Sequence, residues 1–538
     1  MKLYGVNMYY KDLREYINAL QEKNKLIRVK REINKDTELM PLVRWQFRGL
    51  PEKERKAFLF ENVTDSKGKR YDAKVGVALI GASTEVYALG LMCKVKEIHE
   101  KWIKALENPI EPRIVKSGPV KEEIHIGEKL EEHGGLEEFP IPISTPGFDP
   151  APYITAPFWV TKDPEAGIRN VGTYRAMVKG RAKTGVKVIP YQHIGIHFNK
   201  CKAASKPLEA ALVIGAVPVI GMTSVAKIPY GVDEFSIASA LAGEPVSLVK
   251  CETVDLEVPA CAEIVLEGEI TTDYVEPEAP FGEWHGYMGR RSIVPIFKIK
   301  CITHRKNPIY QAFISQMPPS EASKIRGIAY EALLYKHLKY DCNIPGVLDV
   351  AFHEASGSWY YCVIQMQKKH QAEAWQVLVS ALSLDTSISK YVIAVDEDIN
   401  PRDPDAVNWA LSFRVMPHRD IRIITGRSSM SDPAVAPPTV PDEETHFPGV
   451  EGNSAILIDA TRKWPYLPTS LPRKEYMERA MQIWKELGLP ELAPREPWHG
   501  YTLGYWPDEF KEEAELAVKG EHYKTAEKHA QRGMKEKV

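Results

Sequence analysis

Cysteine is scarce and unpatterned in this chain. Its seven copies (Cys93, Cys201, Cys251, Cys261, Cys301, Cys342 and Cys362) are scattered, odd in number and never arranged as C-x-x-C. That excludes a disulfide framework and a zinc knuckle and points to reduced, mostly buried thiols. An excess of one charge is lacking too. The 70 basic and 72 acidic side chains are interspersed, for a formal net charge of -2, so there is no polyelectrolyte footprint for nucleic acid or anionic lipid. A small-molecule partner is the better expectation. Long apolar runs are also missing. The longest, Ala210 to Ala226, is interrupted by Gly215, Pro218 and Gly221 and falls short of the roughly 20 residues a spanning helix needs; it reads as buried strands. The N-terminus, MKLYGVNMYYKDLREYINAL, places Lys11, Asp12, Arg14 and Glu15 where a signal peptide needs its apolar centre, so a cytoplasmic protein is expected. Finally there is no G-x-G-x-x-G after a strand, no G-x-x-x-x-G-K-[ST], no H-E-x-x-H and no G-x-S-x-G. Dinucleotide, nucleotide, zincin and serine-hydrolase readings lose their weight accordingly.

What is present is the composition of a soluble globular protein, 44% hydrophobic and 26% charged over 538 residues, enough for two to four domains. Leu13, Tyr16, Ile17 and Leu20 repeat at helical spacing before the β-rich LIRVKREI. Leu91, Val95, Ile98, Trp102 and Leu106 mark a second amphipathic helix, stopped by Pro109. The acidic, proline-rich stretch EEHGGLEEFPIPISTPGFDPAPY forbids a regular helix, suits an irregular entry into a new domain, and reads otherwise as solvated surface. From about Ile154 to Ile302 short β-branched and aromatic runs dominate, as in a barrel or sandwich. A helix follows in SEASKIRGIAYEALLYKHLK, and strands then alternate with helices as in an α/β unit. The charged end, DEFKEEAELAVKGEHYKTAEKHAQRGMKEKV, reads either as a helical arm on a partner subunit or as a frayed tail.

Several polar residues in the β-rich middle are candidates for chemistry. Asn170 and Arg175 in R-N-V-G-T-Y-R are five positions apart, so a straight strand sends them to opposite faces and a bend at Gly172 is needed to unite them. In Y-Q-H-I-G-I-H, His193 and His197 share a face of an expected strand, as a structural or a metal-binding pair. Glu234 opens a helical pattern with Phe235, Ile237, Ala238 and Leu241, where a carboxylate also suits the helix dipole. In V-E-P-E-A-P-F-G-E-W-H-G-Y-M-G, Glu278 and Glu283 flank Pro280 and Gly282 on a folded loop, with Phe281 and Trp284 as apolar surroundings. Two such carboxylates separate in pKa, the drier one rising and one paired with an arginine staying ionised. Surface glutamates on a proline-rich loop are the alternative.

Taken in order, N-V-G-T-Y-R, Q-H, D-E-F with A-L-A-G-E-P behind it, V-K-C-E-T-V-D-L-E-V-P-A-C-A-E-I-V-L-E-G, P-E-A-P-F-G-E, K-Y-V-I-A-V-D-E-D-I-N and D-A-T-R-K-W-P resemble successive blocks of the UbiD family of prenylated-FMN-dependent decarboxylases and carboxylases. The resemblance runs from about Asp12 to Pro465. It implies an α/β (α+β multidomain) fold: an N-terminal α+β domain over 1–118, a central split β-barrel flavin-binding domain over 119–318, and a linker helix, C-terminal α/β domain and terminal helical arm over 319–538. The active site is expected between the last two, where domain movement closes it.

By the same resemblance Asn170, His193 and Glu234 hold a divalent metal, Mn²⁺ by preference, against the cofactor phosphate; an amide oxygen, an imidazole and a carboxylate suit a hard or borderline ion. A K⁺ ion is implied at Glu234 and the carbonyls of Thr223 to Ala226. Lys390 matches a phosphate contact, and Thr173, Tyr174, Gln192 and Ala226 complete the cofactor-binding set. Arg175, Glu278 and Glu283 match the catalytic network. The implied reaction is reversible, non-oxidative decarboxylation of an aromatic or α,β-unsaturated carboxylic acid, or an aryl-CoA thioester, through a covalent adduct with prenylated FMN. Arg175 orients the carboxylate, Glu278 holds Arg175, and Glu283 is the proton donor or acceptor. The alternatives are an arene or phenol carboxylase working in reverse, a plain FMN-binding flavin reductase, and a metal-dependent hydrolase. A homodimer or homohexamer and a flavin prenyltransferase as cofactor supplier are the implied partners.

Overall fold

The helix Leu13–Glu22 buries Leu13, Tyr16, Ile17 and Leu20 on one face and is capped by Asp12, whose side chain accepts from the Glu15 amide at 2.8 Å. It starts a computed structural model that describes residues 9–428, 432–435, 437–440 and 452–534. The first eight residues and the last four, on which the readings of the two termini partly rest, lie outside that set. Leu26–Asn34 pairs in parallel with Ala57–Thr64, which runs antiparallel to Lys74–Val77. A strand from much later, Ile309–Ala312, then joins Lys74–Val77 in parallel. One hydrophobic cluster runs from Tyr9 to Ala332. The second expected amphipathic helix is divided: Thr84–Gly90 ends at its cap Leu91, Met92 takes a positive φ of 51°, and only Ile98–Glu107 continues the pattern.

The centre is a nine-stranded sheet curled into an open half-barrel. Its longest element is the antiparallel pair Ile264–Glu278 and Ser292–His304, which carries the proline- and glycine-rich segment 279–291 at its tip. Two readings of the sequence are corrected here. In the apolar run only Leu208–Ile214 is a strand. Gly215, at φ 76° and with no room for a Cβ beside Glu263, turns the chain, and Pro218 opens the helix Pro218–Thr223. The histidine pair lies on the helix His193–Ala203 rather than on a strand. Spacing of four fits one face of either element, and Gly195 decides the packing, since a Cβ there would meet the Ile189 carbonyl oxygen at 2.0 Å.

The helix Glu321–Lys336, capped by Ser320, leads into the C-terminal sheet. There Cys362, Ile364 and Met366 face one core with the helix Ala372–Ser383, while Val363, Ile393 and Val395 face another with Pro404–Arg414. This period-two division produces the helix–sheet–helix layering. The charged end forms two helices, Asp508–Val518 and His522–Gln531, that pair through Lys528–Glu509 (2.8 Å) and bury none of their residues. Among the described residues no helix is long and apolar enough to cross a membrane.

Candidate functional site

Asn170, His193 and Glu234 come from three different elements and meet. Asn170 sits on the strand Arg169–Thr173, His193 is the first residue of its helix, and Glu234 is the first residue of Glu234–Ala242. His193 Nδ1 is 3.0 Å from Asn170 Oδ1 and 3.5 Å from Glu234 Oε1. The other Glu234 oxygen accepts from the Val171 amide at 2.7 Å. Asp233 caps that helix and is gripped by Arg169 at 2.6 Å, which fixes where Glu234 starts. Burial raises the proton affinity of Glu234 against the lowering effect of His193 and the Val171 amide. His197 goes elsewhere: it is buried against Thr161 Oγ1 at 3.0 Å, and burial pulls its pKa down to about 4.

Asn170 and Arg175 reach one site without a bend at Gly172, which is paired regularly with Trp159. The strand instead breaks after Thr173, at Tyr174 and Arg175, before Ala176–Gly180 begins. The Tyr174 carbonyl is held by Trp159 Nε1 at 2.6 Å. Arg175 then forks between two carboxylates. It donates from Nε (3.2 Å) and Nη2 (2.8 Å) to Glu278 Oε2, and from Nη1 to Glu283. Glu278 is the last residue of its strand and fully buried. Glu283 lies on the tip segment, where its amide donates to the Tyr287 carbonyl at 2.9 Å. Gly289 lets the side chain in, since a Cβ there would stand 2.8 Å from Glu283 Oε1. Tyr153 steadies the same loop by donating to the Ala279 carbonyl at 2.8 Å and packing on Phe281. Burial pushes the Glu283 carboxyl up, but Arg175 and Lys187 outweigh it and hold it below the usual carboxylate range. Burial opposes the Arg175 charge, and the two glutamates more than restore it.

Asn170, His193, Glu234, Arg175 and Glu283 line one cavity of about 350 Å³, within the roughly 300–1,000 Å³ usual for small-molecule sites; Glu278 reaches it only through Arg175. Thr173, Tyr174, Gln192 and Ala226 line it too. Lys390 does not: it pairs with the buried Asp432 at 2.6 Å beside the Tyr360 ring, because a buried carboxylate demands a cation. Two buried polar atoms of the lining, Asn170 Nδ2 and Gln192 Oε1, have no hydrogen-bond partner among the described residues, and neither has Glu278 Oε1 beside Arg175.

The reading of the sequence missed the roof. Arg326, from the helix Glu321–Lys336, lies between the Trp284 and Trp359 rings at 5.1 and 4.3 Å. It pairs with no carboxylate among the described residues, its Nε is unpartnered, and burial lowers its pKa to about 10. The signal was available: an arginine in the largely buried stretch Ile325 to Leu334 is out of pattern for packing alone.

Three family profiles, all described for 3-octaprenyl-4-hydroxybenzoate carboxy-lyase, match the chain. The N-terminal domain matches residues 17–106, the Rift-related domain 113–318 and the C-terminal domain 323–460. An uncharacterized protein of Aquifex aeolicus is 32% identical over 521 residues, 89% of this chain and 99% of its own. Among solved structures, an evolved dimeric form of the UbiD-class enzyme HmfF from Pelotomaculum thermopropionicum, in complex with prFMN, is 35% identical with a TM-score of 0.71, covering 84% of this chain and 95% of that one. Vanillic acid decarboxylase of Sedimentibacter hydroxybenzoicus in closed form is 29% identical with a TM-score of 0.74, covering 89% and 99%. With its α/β multidomain fold and half-barrel sheet, the chain belongs to the UbiD family and is a carboxy-lyase.

Proposed function

We propose that this protein decarboxylates an aromatic carboxylic acid with prenylated FMN, and that Arg175, Glu278 and Glu283 do the work of substrate positioning and proton transfer. The observation that carries the reading is the Arg175 fork between two carboxylates, with Arg175 and Glu283 in the wall of the cavity that Asn170, His193 and Glu234 also line. The donor set suits the divalent metal of such a cofactor. The cis edge of an octahedral site with bonds of roughly 2.1–2.3 Å measures roughly 3.0–3.3 Å, close to the 3.0 and 3.5 Å among the Asn170, His193 and Glu234 donors. These three would hold a divalent ion, Mn²⁺ by preference, against a phosphate. The carbonyls of Thr223 to Ala226, with Glu234, would take K⁺.

Prenylated FMN, when bound, supplies the electron sink for the carbon that loses CO₂, which no side chain supplies. The rest falls to the chain. Arg175 takes the substrate carboxylate as a charge-assisted pair, while Glu278, fully buried, keeps the guanidinium aimed. Sharing Arg175 with a third carboxylate weakens its hold on Glu283, and burial then raises the proton affinity of Glu283. The protonated Glu283 delivers its proton to carbon after CO₂ leaves, and in the reverse direction removes it. Arg326 favours a ring acid bearing a second oxygen acceptor, which would satisfy its unpaired donor. A homo-oligomer and a flavin prenyltransferase as cofactor supplier complete the proposal.

The test is co-expression with a flavin prenyltransferase, followed by a screen of aromatic acids for CO₂ release and for solvent-deuterium exchange at the product carbon. Release with at least one acid, and its loss in Glu283→Gln with prenylated flavin still bound, is expected. Neither release nor exchange with any acid, despite bound prenylated flavin, would overturn the reading.

A further inference from the structure

Away from the cavity, His125, Glu138 and His304 bring their ligating atoms within 4.8 Å of one another. The sheet register puts them there. In the antiparallel pair of Glu123–Ile126 with Ser292–His304, His125 stands opposite Ile302, so His304, two positions on, is its diagonal neighbour on the same face. Glu138 descends from the turn Gly135–Glu138. Gly135 makes that turn possible: its φ is 56°, and a Cβ would meet the Arg181 carbonyl oxygen at 2.2 Å. Read from the sequence, the acidic run around Glu138 is solvated surface; in the structure Glu138 is half-buried and both histidine rings are buried.

His125 Nδ1 is 3.3 Å from Glu138 Oε2, and His304 Nε2 is 3.3 Å from Glu138 Oε1. Neither contact is aligned as a hydrogen bond, and His125 Nδ1, His304 Nε2 and Glu138 Oε2 are all buried without a hydrogen-bond partner. Leaving three such atoms unsatisfied is costly. His304 Nδ1 lies 2.8 Å from the Arg305 carbonyl oxygen; donating there leaves the Nε2 lone pair facing Glu138, as in a histidine primed for a metal. The His133 ring stacks on His125 at 3.9 Å and Phe139 meets His304 edge-on at 5.4 Å, which fixes both rings. The edge of a tetrahedral zinc site with bonds of roughly 2.0–2.1 Å is roughly 3.3 Å; each imidazole nitrogen stands that far from one oxygen of the Glu138 carboxylate, His125 from Oε2 and His304 from Oε1, so a small rotation of the carboxylate brings one oxygen to both.

We propose that His125, Glu138 and His304 bind a zinc ion, with water in the fourth position, that staples the turn Gly135–Glu138 to the sheet. The ion is distinct from the one proposed at Asn170, His193 and Glu234, and none of its ligands lines the cavity. The chain leaving the staple reaches Thr145, whose Oγ1 packs 3.3 Å from where a Cβ on Gly282 would stand.

The full-length protein, stripped with chelator and dialysed against limiting Zn²⁺, is analysed for bound metal as wild type, His304→Gln, Glu138→Gln and His193→Gln. One zinc per chain is expected in wild type and His193→Gln, with loss of that equivalent in the other two, and Zn²⁺ should raise the melting temperature only where it binds. Co²⁺ in place of Zn²⁺ should give the wild type the intense visible bands of a tetrahedral N/O site, a readout that holds even if a variant folds poorly. Unchanged zinc in His304→Gln, or a wild type that takes up neither ion outside the His193 site, would overturn the proposal. In that case the cluster is a protonated His304 paired with Glu138.

Discussion

Arg175 meets two carboxylates with three nitrogens, an arrangement that only a planar guanidinium satisfies. A lysine would keep the charge and lose the fork, leaving either buried Glu278 or Glu283 without its partner. Arg175→Lys should therefore lower kcat/KM by about 10²-fold, the usual cost of a catalytic group held out of register. Steady-state CO₂ release measures this, and a wild-type value would remove the positioning role. The identities of Arg175, Glu278 and Glu283 were legible as residues. Their contact was implied by the family resemblance and not by local pattern, since it joins positions more than a hundred apart along the chain. Lys390 shows the converse: its place in a sequence block said nothing of Asp432, the buried acid that claims it.

At the scale of elements, the helix Glu321–Lys336 is tied to the N-terminal region by its first residue. Glu321 accepts from the Ala78 and Ile80 amides at 2.8 and 3.0 Å, and its complete burial raises its pKa to about 7. The raised value means that the native state binds a proton the unfolded chain has released. Stability on this account is greatest below the ordinary glutamate range and falls as pH rises towards about 7. The change is on the order of 3 kcal/mol. Glu321→Gln should flatten that part of the pH profile of the denaturation midpoint; an unaltered slope would show that Glu321 is not its source. This helix was readable because small and apolar residues fill it throughout. His193–Ala203 was not, because four-residue spacing of its histidines suits either element and a close backbone approach at Gly195 made the choice.

For the whole molecule, one contact that joins the loop carrying Glu283 to the C-terminal region is Trp284 against Gly357. The glycine has a φ of 69°, and a Cβ on it would lie 2.6 Å from Trp284 Cε3. Trp284 also packs edge-on against Tyr360, and Arg326 spans Trp284 and Trp359. Gly357→Ala should cost on the order of 1–2 kcal/mol for the left-handed backbone, lower the melting temperature, and reduce turnover by displacing the neighbour of Glu283. Thermal unfolding and CO₂ release on one preparation check both effects, and a wild-type melting temperature would show that the roof does not close on this contact.

Local patterning was enough to determine the fold class, the β-rich centre, the α/β C-terminal region and the set of polar residues that packing does not need. Periodicity and block order are properties of neighbouring residues and survive without coordinates. The convergence of Asn170, His193 and Glu234 was implied by the family resemblance and by nothing local; tertiary structure alone decided that Arg326 forms a roof, that Ile309–Ala312 completes the N-terminal sheet, and that Glu138 in an acidic run meets two buried histidines. Each of these depends on strand register or helix docking between segments far apart in the chain, where one residue of slip exchanges the buried face for the exposed one.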